Sequence, residues 1–412
     1  MNSAVLTLFI LVLATHYQRC ASRYYETWTS KYNFFGKPNS FNKGLCADSI
    51  TTQGYECHEF EVVTNDGYIL SIQRIPVGRS EISQNATVKE PVIIQHGIMM
   101  DGSSWFMNKP NQNLPMILAD NGFDVWITNA RGTKYSRKHT FLEPSNENYW
   151  NWSWDELVSD EMPAIFDFVF NKTGQKINYL GHSLGTLVAL VSLSEGKWIN
   201  QVKSVALLSP IAYLRNMKTA VGVMSANYVI GKKFTPRDIT EFDPKGQRVL
   251  DFVNGICDHS GLNCNDLFTA ITGENCCLDE AAFVEFLKVE PQSTSKKMMF
   301  HLARTFLSDS LTKFDYGRGL INMKHYGKQN PPAYNLSNIP NNIPFFMSYG
   351  GRDALSDVVD VKKLLNIHFQ NHEAGKLNVQ FIQEYAHADY MMAVNANELV
   401  YKNVSSFFKQ KF

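Results

Sequence analysis

Ser183 sits at the centre of Gly181-His182-Ser183-Leu184-Gly185, a G-x-S-x-G that follows the apolar run 177–180 and opens a helical stretch from Thr186. A strand that reverses sharply into a helix leaves no room for side chains at positions 181 and 185. It projects the serine at the helix N-terminus, where the dipole favours developing negative charge. A serine hydroxyl is a poor nucleophile until a base within hydrogen-bond reach removes its proton, so the chemistry needs a histidine oriented by a carboxylate. In strand–turn–helix sites of this kind the order along the chain is Ser, acid, His. Asp353 follows the run 345–349 in Gly350-Gly351-Arg352-Asp353, and His387 follows the run 379–385 in Ala386-His387-Ala388-Asp389. Both loops are expected on the sheet edge that carries Ser183. Among the 11 histidines, His387 is the one placed for base duty. Asp357 and Asp389 are rival acids: the first sits where helix capping explains it, and the second is too close in sequence to approach the His387 ring easily.

Upstream, the run 92–95 ends in His96-Gly97-Ile98, a sharp turn where hydrolases of this type supply one oxyanion donor. The backbone N–H groups of Ile98 and Leu184 are the expected oxyanion donors, a stabilisation typically worth about 3–4 kcal/mol.

Elements must bring these distant residues together. A segment 59–63, the turn Asn65-Asp66-Gly67 and a segment 68–74 predict a hairpin, because Asp-Gly supplies the positive φ a tight turn needs. Short apolar runs recur at 92–95, 123–128, 177–180, 202–208, 345–349 and 379–385, and read as strands buried on both faces. Helical stretches at 154–170, 186–194 and 356–369 lie between them. The expected fold is therefore α/β, a mostly parallel central sheet flanked by helices. Between 211 and 325 the rhythm breaks into helices (279–289, 296–307) and loops with no convincing central strand. The expected organisation is a leader at 1–22, a core at 23–210 and 326–412, and an inserted, mainly helical cap at 211–325.

Charge balance is even, 39 Lys+Arg against 39 Asp+Glu, and leaves no basic footprint for nucleic acid. The longest apolar run, 4–14, is well short of the roughly 20 residues that span a bilayer. Followed by polar residues and small ones at Ala21 and Ser22, it reads as a secretory signal peptide. Its removal takes Cys20 and leaves Cys46, Cys57, Cys257, Cys264, Cys276 and Cys277, an even set suited to an oxidising compartment. Cys46 with Cys57 would close a short loop; the other four would staple one subregion, with the adjacent Cys276 and Cys277 not expected to bond each other. The spacing lacks the paired C-x-x-C units of zinc sites. Sequons at Asn85, Asn151, Asn171, Asn335 and Asn403 agree with secretion, Asn151 least, because tryptophans flank it. Phosphate-binding loops and H-E-x-x-H are absent, so neither a cofactor nor a catalytic metal is implied.

From about Gly44 to Phe408 the chain resembles the acid lipases, which include gastric and lysosomal lipases, and most of all their plant triacylglycerol lipase relatives. The resemblance is carried in order by Gly54-Tyr55-Glu56-Cys57, Asp66-Gly67-Tyr68-Ile69-Leu70, Gln95-His96-Gly97-Ile98, Asn121-Gly122-Phe123-Asp124-Val125-Trp126, Asn129-Ala130-Arg131-Gly132, Trp152-Ser153-Trp154-Asp155-Glu156, Gly181-His182-Ser183-Leu184-Gly185-Thr186, Gly350-Gly351-Arg352-Asp353 and His387-Ala388-Asp389. It implies an α/β-hydrolase fold with a cap and lid, secretion or lysosomal/vacuolar delivery, and hydrolysis of long-chain acyl esters at a lipid–water interface. The family's nucleophile, acid and base fall on Ser183, Asp353 and His387, and its oxyanion donors on Ile98 and Leu184. Leu184 departs from the glutamine of animal members, which keeps the main-chain donor but unsettles substrate range. Steryl ester hydrolysis, acyl transfer and lipid binding without turnover are the competing functions; the intact Ser183, Asp353 and His387 argue against the last.

Overall fold

A computed structural model describes residues 44–81, 88–219, 234–246 and 267–412. The leader at 1–22, Asn85, Cys257 and Cys264 lie outside the described residues. The hairpin forms as its turn residues dictate: β1 (His58–Val63) pairs antiparallel with β2 (Tyr68–Ile75), with Gly67 at φ 96° in the turn. Then follow β3 (Glu90–Gln95), β4 (Phe123–Ile127), a short β5 (Lys138–His139) paired to β2, β6 (Ile177–His182), β7 (Val202–Leu208), β10 (Phe345–Gly350) and β11 (Leu377–Ile382). Together they make one sheet in the order β1-β2-β4-β3-β6-β7-β10-β11. Every pairing from β4 to β11 is parallel. A separate two-stranded ladder joins β8 (Glu241–Phe242) to β9 (Thr294–Ser295).

The apolar runs are explained by what covers the sheet. Ile93, Trp126, Tyr179, Val205 and Met347 belong to one core, while their strand neighbours Ile94, Val125, Leu180, Ala206 and Phe346 belong to a second. Successive side chains point to opposite faces, so a strand needs unbroken apolar sequence only when both faces are covered. β11 departs from the expectation. It is an edge strand bonded to β10 alone, its Val379 and Phe381 are each 46% exposed, and it ends at Ile382, not at 385. The remaining residues turn towards His387. With one neighbouring strand among the described residues, β11 is less buried than the strands inside the sheet.

The helix expected at 154–170 starts with a capping box. Ser153 caps the turn at Asp155, and the Glu156 side chain returns to the Ser153 N–H at 2.6 Å. It continues through a π-turn at Leu157–Glu161 into Met162–Thr173, ending on Gly174 at φ 65°. Between β7 and β10 the chain leaves the sheet and forms, among other elements, the helices Glu280–Val289 and Lys296–Ser308. Among the described residues, no helix is long and apolar enough to cross a membrane.

Cys46 and Cys57 form the expected disulfide. Cys276 and Cys277 overturn the expectation that adjacent cysteines stay apart: they are bonded to each other. The cause lies in the backbone, where one carboxylate, that of Asp389, accepts the N–H of Cys276 at 3.1 Å and of Cys277 at 3.2 Å. Both amides of the dipeptide are thereby turned towards the same point, and its two side chains are left side by side. Asn151, Asn171, Asn335 and Asn403 are exposed, with the flanking Trp150 and Trp152 turned into the core.

Candidate active site

β3, β6 and β10 are parallel and in register at their C-terminal ends: Gln95 lies opposite Gly181, while His182 and Ser348 both lie opposite Leu208. The loops after them therefore open on one edge, as the crevice rule for parallel sheets requires. At the end of β6 the chain turns through Ser183, with φ 54° and ψ −118°, directly into the helix Leu184–Ser194. A side chain rarely adopts that conformation, and here packing enforces it. A Cβ on Gly181 would stand 2.8 Å from the Gly185 backbone, and one on Gly185 would stand 2.8 Å from the Gln95 carbonyl oxygen. The two glycines thus let the strand, the helix and the end of β3 meet around the serine.

Asp353 and His387 meet. The Nδ1–H of His387 donates to the Asp353 carboxylate at 2.9 Å to Oδ2 and 3.1 Å to Oδ1, and both side chains are buried. Oδ1 also accepts the N–H groups of Leu355 (2.9 Å) and Ser356 (2.8 Å). Burial alone would raise the Asp353 carboxyl, but the His387 ring and these backbone donors hold it below the ordinary carboxylate range. With Nδ1 carrying the proton, Nε2 is left with its lone pair. That atom is buried and has no hydrogen-bond partner among the described residues. The bond from Ser183 to this nitrogen is thus open in this conformation, as is common before substrate binds. The neighbourhood is nonetheless tight: the rings of His182 and His387 are 4.8 Å apart.

The rival acids have other partners. Asp357 caps the helix Val358–Leu364 through the N–H of Val359 at 2.7 Å and pairs with Lys218 at 2.7 Å. Asp389, besides holding the cysteine pair, accepts the N–H of Ala386 at 2.8 Å and so pins the His387 loop.

Ile98 and Leu184 line one cavity together with Gly97, Met100, Trp152 and Met298. A Cβ on Gly97 would lie 3.0 Å from the Ser183 Cβ, so the turn after β3 rests against the serine. The Leu184 N–H is the first of its helix and has no intrahelical acceptor. His96 fixes the turn: its Nδ1–H donates to the Gly97 carbonyl at 2.7 Å, and its Nε2 accepts the N–H of Ala130 at 3.0 Å. Burial pushes this imidazole down to about 4, which keeps it neutral as both bonds require.

Two residues of the site escaped the sequence reading. His96 and His182 stand out only as histidines beside glycines. His182 donates from Nε2 to the His387 carbonyl at 3.0 Å, and burial, then the neighbouring His387 ring, pushes it down to about 3.

Comparison with known proteins places this geometry. Residues 46–109 match a partial alpha/beta-hydrolase lipase region, and residues 90–239 match the alpha/beta hydrolase fold. Over 369 residues the chain is 51% identical to triacylglycerol lipase 2 of Arabidopsis thaliana, covering 89% of this chain and 88% of that one. The chain belongs to the acid lipase family of α/β-hydrolases. It is also 30% identical to gastric triacylglycerol lipase of Homo sapiens over 378 residues, 88% of this chain and 90% of that one. A crystal structure of a soluble variant of monoglyceride lipase from Saccharomyces cerevisiae superimposes with a TM-score of 0.54 at 13% identity, covering 91% of this acid lipase family member and 98% of that chain. That likeness shows the fold alone.

Proposed function

We propose that the protein is a triacylglycerol lipase that cleaves long-chain acyl esters through an acyl-enzyme. The Ser183 oxygen attacks the ester carbonyl carbon while His387 Nε2 takes its proton. Asp353 holds the Nδ1–H and stabilises the imidazolium that forms. The backbone N–H groups of Ile98 and Leu184 receive the negative charge on the carbonyl oxygen. The imidazolium then protonates the departing alcohol, and water, deprotonated by the same nitrogen, releases the fatty acid and frees Ser183. The observation that carries this reading is the buried Asp353–His387 pair, whose Nε2 has no partner among the described residues and whose imidazole ring stands 4.8 Å from that of His182, the residue before the strained turn at Ser183. Names of relatives support the substrate: the Arabidopsis and human proteins are both called triacylglycerol lipases.

Residues 211–325 are read as a cap over the sheet edge and residues 1–22 as a signal peptide for secretion or lysosomal/vacuolar delivery. The substrate is met at a lipid–water interface. Ser183→Ala tests the assignment: hydrolysis of emulsified triolein should fall by at least about 10⁴-fold, with an unchanged melting temperature. Turnover near the wild-type rate in that variant would defeat the reading, and faster cleavage of steryl oleate than of triolein by the wild type would move the substrate to sterol esters.

A further inference from the structure

Three residues beyond Ile98, Asp101 is fully buried at the N-cap of the turn Gly102–Phe106, its Oδ1 accepting the Ser103 N–H at 2.8 Å. Its own N–H donates at 3.0 Å to Oε1 of Glu290, which is fully buried just after the helix Glu280–Val289. That bond joins the Glu290 carboxyl to the Asp101 backbone, and both carboxyls are fully buried. Each keeps one buried oxygen, Asp101 Oδ2 and Glu290 Oε2, that has no partner among the described residues. The same two segments are joined again where the Gln292 N–H donates to the Met99 carbonyl at 2.7 Å. Gln292 Oε1 in turn accepts the Lys134 N–H at 3.1 Å.

No cation touches either carboxyl among the described residues. Lys245 directs its Nζ to the Val289 carbonyl at 3.1 Å, and Asp243 stands near that lysine. The Lys134 ammonium goes to Asp48 at 3.4 Å and to the Tyr135 hydroxyl at 3.1 Å, and that hydroxyl also reaches Asp48 and the Ser103 hydroxyl. Two ionised carboxylates buried side by side without a contacting cation suffer both desolvation and mutual repulsion. One proton between them removes the repulsion and one of the two desolvation costs, and it supplies a donor where the orphaned oxygens lack one.

We propose that Asp101 and Glu290 are a proton-sharing positioning pair for the oxyanion turn: one proton held between the carboxyls ties the segment behind Ile98 to residues 290–292. Burial, then the Asp101 charge, pushes Glu290 well above the carboxylate range, and burial also pushes Asp101 up. Raised carboxyls stabilise the fold at acid pH, below their unfolded values of about 4, and lose that contribution as pH rises through the folded values. The joint therefore loosens on the alkaline side, and Ile98 with it. This inference rests on the reading of Ile98 as an oxyanion donor.

Glu290→Gln and Asp101→Asn each put an amide donor where the proton sits and cannot ionise there. In a pH-stat assay on emulsified triolein, the alkaline limb of wild-type kcat should move up by about one pH unit or more in either variant. KM and the acid-side kcat should stay within about threefold of wild type. Glu290→Ala, with no donor, should lose kcat at every pH. Independently of activity, wild type at neutral pH should show the infrared C=O stretch of a protonated carboxylic acid, which fades as pH rises and is missing from both amide variants. If one amide variant fails to fold, the other reads the same proton. Superimposed alkaline limbs would overturn the positioning role, and absence of the infrared band in wild type would overturn the shared proton. Absence of all ester hydrolysis by the wild type would instead overturn the reading of the site, and the infrared band would still decide the pair.

Discussion

The Nε2–H of His182 donates to the backbone carbonyl of His387 at 3.0 Å, so the residue before Ser183 holds the loop that carries the proposed base. The loop is gripped from other sides too. The His387 N–H donates to the Thr272 carbonyl and the Ala388 N–H to Asn275 Oδ1, each at 3.1 Å. The loop of His387 and the strand end that carries Ser183, far apart in the chain, are thus tied through His182 as well as by the sheet.

Removing that bond should affect the chemical step more than substrate binding. His182→Phe keeps a ring of similar shape but leaves a buried carbonyl without its donor, a loss of about 1–3 kcal/mol. If the loop shift is felt at Nε2, kcat falls about 10- to 100-fold while KM stays within about threefold. Steady-state kinetics decide this, and a rise in KM alone would contradict the positioning role.

Asp353→Asn should reverse the tautomer of His387. The Asn carbonyl is expected to stay with the N–H groups of Leu355 and Ser356, which now bond Oδ1. Its NH₂ then faces Nδ1, and the ring proton must move to Nε2, where the lone pair is needed. A loss in kcat of about 10⁴-fold is expected, as for triad acids generally. A melting temperature within a few degrees of wild type would show that the fold is intact.

Gly185→Ala should destabilise the fold by about 1–3 kcal/mol or more. Its Cβ would meet the Gln95 carbonyl oxygen at 2.8 Å, and a strand backbone cannot swing aside as a side chain can. Urea unfolding measures the change, and stability equal to wild type would mean that β3 and the helix after Ser183 leave room for a methyl group between them.

His96 should make stability depend on pH in the acid range. Its folded value of about 4 lies below the ordinary 6.5. Between these values the unfolded chain binds a proton that the folded one refuses. The stabilisation is therefore complete above about 6.5 and is lost as pH falls towards 4, a change on the order of 3 kcal/mol. In His96→Gln the unfolding free energy should fall less steeply across that window, as followed by denaturant titration at each pH. An identical slope in the variant would remove His96 as the cause.

Much of this protein was written locally in the sequence. Strands buried on both faces must be apolar throughout, so β3, β4, β6 and β7 announced themselves. A strand that turns straight into a helix needs small residues around its apex, which marked Ser183. The order of the loops after β10 and β11 pointed to Asp353 and His387 because parallel strands deliver their C-terminal ends to one edge. What depended on neighbours distant in the chain was decided only by tertiary structure. β11 proved half exposed because, among the described residues, it pairs with β10 alone at the end of the sheet. Cys276 and Cys277 pair where Asp389, more than a hundred residues away, fixes their amides. His182 and His96 became structural donors through the carbonyls they happen to face, and Asp101 and Glu290 became a pair only when folding buried them together. Local sequence encodes conformation and the types of group available for chemistry, whereas the partner that each buried polar atom finds is a property of three-dimensional packing.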